Sequence, residues 1–213
     1  MPKSDSFDRN VDRYEAWFER NKLAHESELK AVRALLPRRG EGLEVGVGTG
    51  RFAAPLGVGL GVEPSRAMGR FAQERGIQVL VGVGEHLAFA DNCFDFVLLI
   101  TTICFLDDVS AALAETYRVL RPGGVVLIGF IDRESQLGRV YEKRKQNDVF
   151  YRDASFLSAD EVLSRLKETG FRDPVFRQTI FENPAEMTEA DSVKSGHGEG
   201  SFVVVRAARP SEP

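Results

Sequence analysis

The chain is poor in cysteine, tryptophan, methionine and histidine, with 2, 1, 3 and 3 of them among 213 residues. Cys93 and Cys104 lack CxxC spacing, so they form neither a disulfide framework nor a zinc cluster. The expectation is a reducing, cytoplasmic setting and no metal. Positive charge is not in surplus either. Lys and Arg number 28 against 32 Asp and Glu, a net charge of −4. A protein that grips phosphates normally carries the opposite balance, so no nucleic-acid partner is expected. No long apolar run is present. The most apolar stretch, 96–106, is interrupted by Thr101 and Thr102 and is too short for a membrane span. The first 21 residues are polar and charged and do not read as a secretion signal.

What is there is a globular composition, 43% hydrophobic and 28% charged, with 15 Phe to build a core. The length predicts a single domain over 1–213. Glycine is crowded: Gly40, Gly42, Gly46, Gly48, Gly50, Gly57, Gly59 and Gly61 fall within 22 residues.

Helical spacing of Val11, Tyr14, Trp17 and Phe18, then of Leu29, Val32, Leu35 and Leu36, predicts two helices over 7–36. The period then changes. Short apolar runs at 42–47, 57–62, 77–81, 94–100 and 125–130 read as strands, with 94–100 buried on both faces. Helices are expected at 51–56, after Ser65, after Asp107-Asp108, at 133–146, and from the capping box Ser158-Ala159-Asp160-Glu161 to Gly170. Two more strands are expected at 175–181 and 201–207. The alternation implies an α/β fold. Its sheet is Rossmann-like, mostly parallel and seven-stranded, with helices on both faces and the last strand antiparallel.

The segment 42–62 is strand, glycine turn, short helix, strand. Ligands of such sheets bind at the carboxyl ends of the strands. Glu63, just past the second strand, can accept hydrogen bonds from both hydroxyls of a ribose and repels a 2′-phosphate. A dinucleotide loop needs G-x-G-x-x-G, and Arg51 stands where the third glycine would fall. The pattern present is Glu44-Val45-Gly46-Val47-Gly48-Thr49-Gly50, an acid followed by G-x-G-x-G.

That form resembles motif I of the class I S-adenosylmethionine (SAM)-dependent methyltransferases. Three further segments are similar to the family in the same order. They are Val62-Glu63-Pro64-Ser65, the stretch from Gly82 to Phe89 followed by Phe94-Asp95-Phe96-Val97, and Arg118-Val119-Leu120-Arg121-Pro122-Gly123-Gly124. The resemblance is to compact, stand-alone members related to ubiquinone- and menaquinone-pathway enzymes. It implies a helical cap at 1–36, a SAM-binding core at 41–130, a substrate lid at 132–157, and a C-terminal helix and strands at 158–207. It also implies SAM as cofactor. Glu44, Gly46, Gly48 and Gly50 would then hold the methionine end, Glu63 the ribose and Thr101 the methionyl part, with Pro64 also among the cofactor-binding residues. The family's adenine-binding Asp is absent at Val83, which leaves the Gly84-Glu85 backbone or the Glu85 side chain for adenine.

Tyr14 and Trp17, at i and i+3, either cover the cofactor or form the core face of their helix. Acceptor-side candidates are Trp17, Cys104, Asp132, Arg133, Glu134, Tyr141 and His197. Each has a plainer reading as core, surface charge or loop. No catalytic base is assigned, because a methyl displacement from sulfonium needs one only if the acceptor arrives protonated. The expected function is methyl transfer to a small molecule, at O, N, S or C. The alternatives are a SAM-binding protein without turnover and a nicotinamide-dependent oxidoreductase.

Overall fold

The computed structural model describes residues 4–211. Three short helices open it: α1 (Asp5–Arg9), α2 (Val11–Arg20) and α3 (Lys22–Arg33). The sequence predicts two. The division comes from Asn10 and Asn21, which leave the helical region. Their side-chain amides donate to Ser6 O at 2.8 Å and Trp17 O at 2.9 Å, so side chain competes with helix for backbone acceptors.

The α/β part follows as β1 (Gly42–Val45), α4 (Ala53–Leu56), β2 (Leu60–Glu63), α5 (Arg66–Glu74), β3 (Gln78–Val81), β4 (Phe94–Ile100), α6 (Val109–Val119) and β5 (Leu120–Ile131). After it come α7 (Gln136–Arg144), α8 (Ala159–Thr169), β6 (Arg172–Thr179), β7 (Lys194–Ser195) and β8 (Phe202–Ala208). All strands join one sheet in the order β3-β2-β1-β4-β5-β8-β6-β7. Strands β1 to β5 pair in parallel. Strand β8 is antiparallel to both neighbours, β5 and β6, between which it lies. The sheet therefore has eight strands where seven are expected. The addition, β7, is two residues long and pairs only with the β6 edge.

Local chemistry accounts for the helix starts. Ser65 accepts from Met68 N, and Asp108 accepts from Ala111 N. Ser158 and Glu161 exchange the two bonds of a capping box, and Gly170 ends that helix with φ +107°. The bounds of β2 and β6 shift by one to three residues from the sequence expectation, and the start of β5 shifts further. Strand β5 begins at Leu120, and Arg121 to Gly124 form a bulge, since Phe94 pairs Leu120 while Phe96 pairs Val125.

Period-two alternation in the central strands builds two apolar layers. Val97, Leu99, Val126 and Ile128 face one side, against Leu113 of α6 and Val162 and Leu166 of α8. Phe96, Leu98, Ile100 and Leu127 face the other, against Ala31 and Val32 of α3, Ala53 of α4 and Ala72 of α5. This double cover holds the carboxyl ends of β1, β2 and β4 rigidly at one edge, where the loops converge.

Candidate active site

A cavity of about 640 Å³ lies at those strand ends. Such a volume is ordinary for a small-molecule site. Its floor is the glycine turn after β1. Gly46 and Gly48 have φ +70° and +55°, which L side chains rarely adopt. A Cβ on Gly46 would strike Thr102. One on Gly48 would stand 3.5 Å from the Tyr14 hydroxyl, so Tyr14 lies over the loop.

The acids of this floor are desolvated. Glu63 is 7% exposed. Its carboxylate accepts from Gly48 N at 2.8 Å and Ser65 N at 2.9 Å. Burial pushes it up to about 7, against the pull of those two N–H groups. Glu44 is also buried, and burial, with Glu63 adding, raises it well above the usual carboxylate range, against the Ala53 N–H. Its Oε2 has no hydrogen-bond partner. The positive-φ turn at Gly46 and Gly48, with Glu63 beside it on the cavity wall, fits a ligand that approaches backbone closely, and the unsatisfied Glu44 oxygen lies behind that turn.

Pro64, Gly84, Glu85 and Thr101 line the same cavity. Glu85 is already engaged, with Oε1 accepting from Asp107 N at 2.7 Å and Asp108 N at 3.2 Å. Thr101 follows β4 directly, with φ +54°, a strained value for a branched residue. Gly50 and Glu44 are not on the cavity wall. Gly50 packs on Ile77 and Ala72.

The roof comes from α1, α2, α3 and the 132–157 segment. Tyr14, Trp17 and Tyr141 line the cavity. Burial raises the Tyr14 hydroxyl, with Glu63 and Glu44 adding to the effect. Two polar ties fasten the roof to the floor. Asp8 accepts from Ser65 Oγ at 2.7 Å. Glu15 sits between Arg51 Nη2 and Arg75 Nη2, at 2.6 Å from each. Those cations hold its carboxyl below the usual range, although burial pulls the other way.

Other sequence candidates lie apart from this chamber. Cys104 borders a separate void of about 20 Å³ with Tyr151 and Phe156. Asp132 is buried, and its Oδ1 accepts from Glu134 N at 2.9 Å. Arg133 pairs with Glu161 at 2.8 Å. Exposed His197 packs on Phe176 near β7. Conversely, Phe7, Glu28, Phe105, Phe150 and Tyr151 line the cavity and go unnoticed in the sequence. Glu28 did leave a signal: it occupies the apolar stripe that Ala24, Ala31, Val32 and Leu35 otherwise fill.

Fold, glycine turn and strand-end acids together fit an enzyme that uses a nucleoside cofactor. The chain belongs to the class I SAM-dependent methyltransferases, and its cofactor is SAM. Residues 43–128 match the family described as methyltransferase domain. A Thermotoga maritima crystal structure of a SAM-dependent methyltransferase, described as a possible histamine N-methyltransferase, is 48% identical. It superposes with a TM-score of 0.95 over 97% of this chain and 99% of that one. An uncharacterised Methanocaldococcus jannaschii protein is 44% identical over 203 residues, 95% of this chain and 98% of that protein. The ubiquinone/menaquinone biosynthesis C-methyltransferase of Desulfotalea psychrophila is 39% identical over 98 residues, 41% of this chain and 40% of that enzyme. No helix among the described residues is long and apolar enough to cross a membrane.

Proposed function

We propose that the protein transfers the SAM methyl group to a small molecule held in the roofed half of the cavity. The carrying observation is continuity: one chamber runs from Gly46, Gly48 and Glu63 to the aromatic wall of Tyr14, Trp17 and Tyr141. Cofactor and acceptor then share a single space, which in-line displacement requires.

In this reading Glu44 complements the methionyl ammonium, and the backbone of Gly46, Gly48 and Gly50 accommodates the carboxylate end. Glu63 accepts from the ribose hydroxyls with the lone pairs that Gly48 N and Ser65 N leave available. Pro64, Gly84 and Glu85 border the base, and Thr101 borders the methionyl chain. SAM supplies an activated methyl on sulfonium. The protein's own contribution is positioning and exclusion of water. Helices α1 to α3 and the 132–157 segment close over the site, the latter as the substrate lid, and Tyr14 spans both halves. Trp17 and Tyr141 belong to the acceptor side.

Calorimetric titration with S-adenosylhomocysteine and, separately, NAD tests the cofactor half. Incubation with methyl-labelled SAM and a metabolite extract tests transfer. We expect micromolar or tighter binding of the former alone, and a labelled small product. Binding without any labelled product would favour the reading of a SAM sensor without turnover.

A further inference from the structure

Glu28 is unlike the other acids of the cavity. It lines the chamber yet is only 5% exposed. Glu63 is satisfied by two backbone N–H groups and Glu85 by two more. Glu28 makes no hydrogen bond or ion pair within the described residues, and burial alone sets its proton affinity, pushed up to about 8. A lone buried carboxylate is costly, and such costs are tolerated where a ligand completes the site.

The surroundings say which ligand. Tyr14, Tyr141 and Tyr151 lie near enough to sense the Glu28 charge. Around them Tyr141 stacks on Tyr151 at 5.0 Å and Tyr151 on Phe105 at 5.9 Å, while Phe150 contacts Tyr14 at 5.9 Å. Aromatic rings around a buried acid that has no partner of its own suit a cation, which keeps that acid ionised. The lining cations, Arg13 and Arg20, are exposed at the rim. Among the described residues, no buried cation lines the chamber to receive an anionic acceptor.

Building on the methyl-transfer reading, we propose that the acceptor is a small amine, bound as its ammonium by Glu28 and enclosed by the aromatic wall. The Glu28 carboxylate takes a proton from the ammonium and frees the nitrogen lone pair. That pair forms the N–C bond as the C–S bond of the sulfonium breaks, and the departing pair stays on sulfur as a neutral thioether. The methylated nitrogen carries the positive charge, and Glu28 returns its proton to solvent when the product leaves. A raised proton affinity serves this step, because it brings the carboxyl closer to an amine.

The test is calorimetric, with the full chain saturated in S-adenosylhomocysteine. The probes are 2-phenylethylamine, benzylamine and butylamine, each against the alcohol and the carboxylate of the same skeleton. A charge-assisted contact predicts that at least one amine binds about tenfold or more tightly than its alcohol, and that the carboxylates bind worst. Glu28→Gln should reduce that preference to about twofold or less, with S-adenosylhomocysteine affinity kept within about twofold. If no amine outbinds its alcohol, or if Glu28→Gln keeps the preference or loses S-adenosylhomocysteine, the proposal falls. The wild-type comparison stands whether or not the variant folds. Wild-type protein that fails to bind S-adenosylhomocysteine overturns the methyl-transfer reading itself, and this inference with it. Binding of S-adenosylhomocysteine without amine preference overturns this inference alone.

Discussion

Replacing Glu28 by Gln should stabilise the empty protein, and increasingly so as pH rises. In the unfolded chain a glutamate titrates near about 4.3. In the fold, burial raises Glu28 to about 8. Below the lower value both states hold the proton and stability is unaffected. Between the two, unfolding releases a proton that the native state retains, so stability falls as pH rises. Above about 8 the loss is complete. The slope is about 1.4 kcal/mol per pH unit, and the ceiling is about 5 kcal/mol. For a domain of this size that slope shifts the melting temperature by about 3–5 °C per pH unit. The neutral amide lacks this penalty. The phenols of Tyr14, Tyr141 and Tyr151, the groups that sense Glu28, are all raised and stay protonated throughout. Glu63 and Glu44 titrate in both proteins and largely cancel in the difference. Thermal unfolding of wild type and Glu28→Gln, followed by circular dichroism from pH 5 to pH 9 without ligand, should give curves that diverge and then run parallel. Curves parallel throughout would refute the reasoning, because they would mean that Glu28 is solvated or paired in the native state.

Gly48→Val should weaken S-adenosylhomocysteine binding by at least about a hundredfold in calorimetry, since it places a branched side chain at φ +55° in the cradle. Glu15→Ala removes the acid between Arg51 and Arg75; stopped-flow release of S-adenosylhomocysteine should then quicken by about tenfold, and the melting temperature should fall, because two partly buried guanidiniums lose their partner. Ser158→Ala loses one bond of the capping box and should cost about 1 kcal/mol in urea unfolding, leaving cofactor affinity intact. Glu115, held down to about 2 chiefly by Arg118, contributes stability above about pH 4.3 that is lost as pH falls toward 2. Glu115→Gln should flatten that acid limb in a pH series.

The central sheet was legible because its signals are local. The run Phe94–Ile100 is apolar on both faces, and the glycine turn after Val45 has no other economical conformation. The capping box at Ser158 and the αL glycine at 170 mark a helix from both ends. Strand β7 was not legible, since two exposed residues carry no periodicity and owe their pairing to the β6 edge. Asn10 and Asn21 broke a helical pattern through side-chain bonds that apolar spacing does not register. The site divided in the same way. Its floor comes from contiguous motifs. Its roof gathers Phe7, Glu28, Phe105, Phe150 and Tyr151 from segments far apart in sequence, and their convergence is a product of the tertiary fold. Glu28 is the exception, a charge in an apolar stripe, visible in sequence but interpretable only beside the cavity.

The place of β8 in the sheet also bears on the order in which the molecule can be completed. Strand β5 exposes one edge until β8 arrives, and about 70 residues of chain separate Ile131 from its partner Phe202. At about 5–20 residues per second, a nascent chain holds that apolar edge open for roughly 4–14 s. Strand β6 is made earlier, but its partners in the finished sheet are β8 and β7, not β5. Meanwhile the glycine turn and the acids beneath the cofactor, all upstream of β5, can already be assembled. The floor of the cofactor site thus precedes, in chain order, the strand that fills the place between β5 and β6.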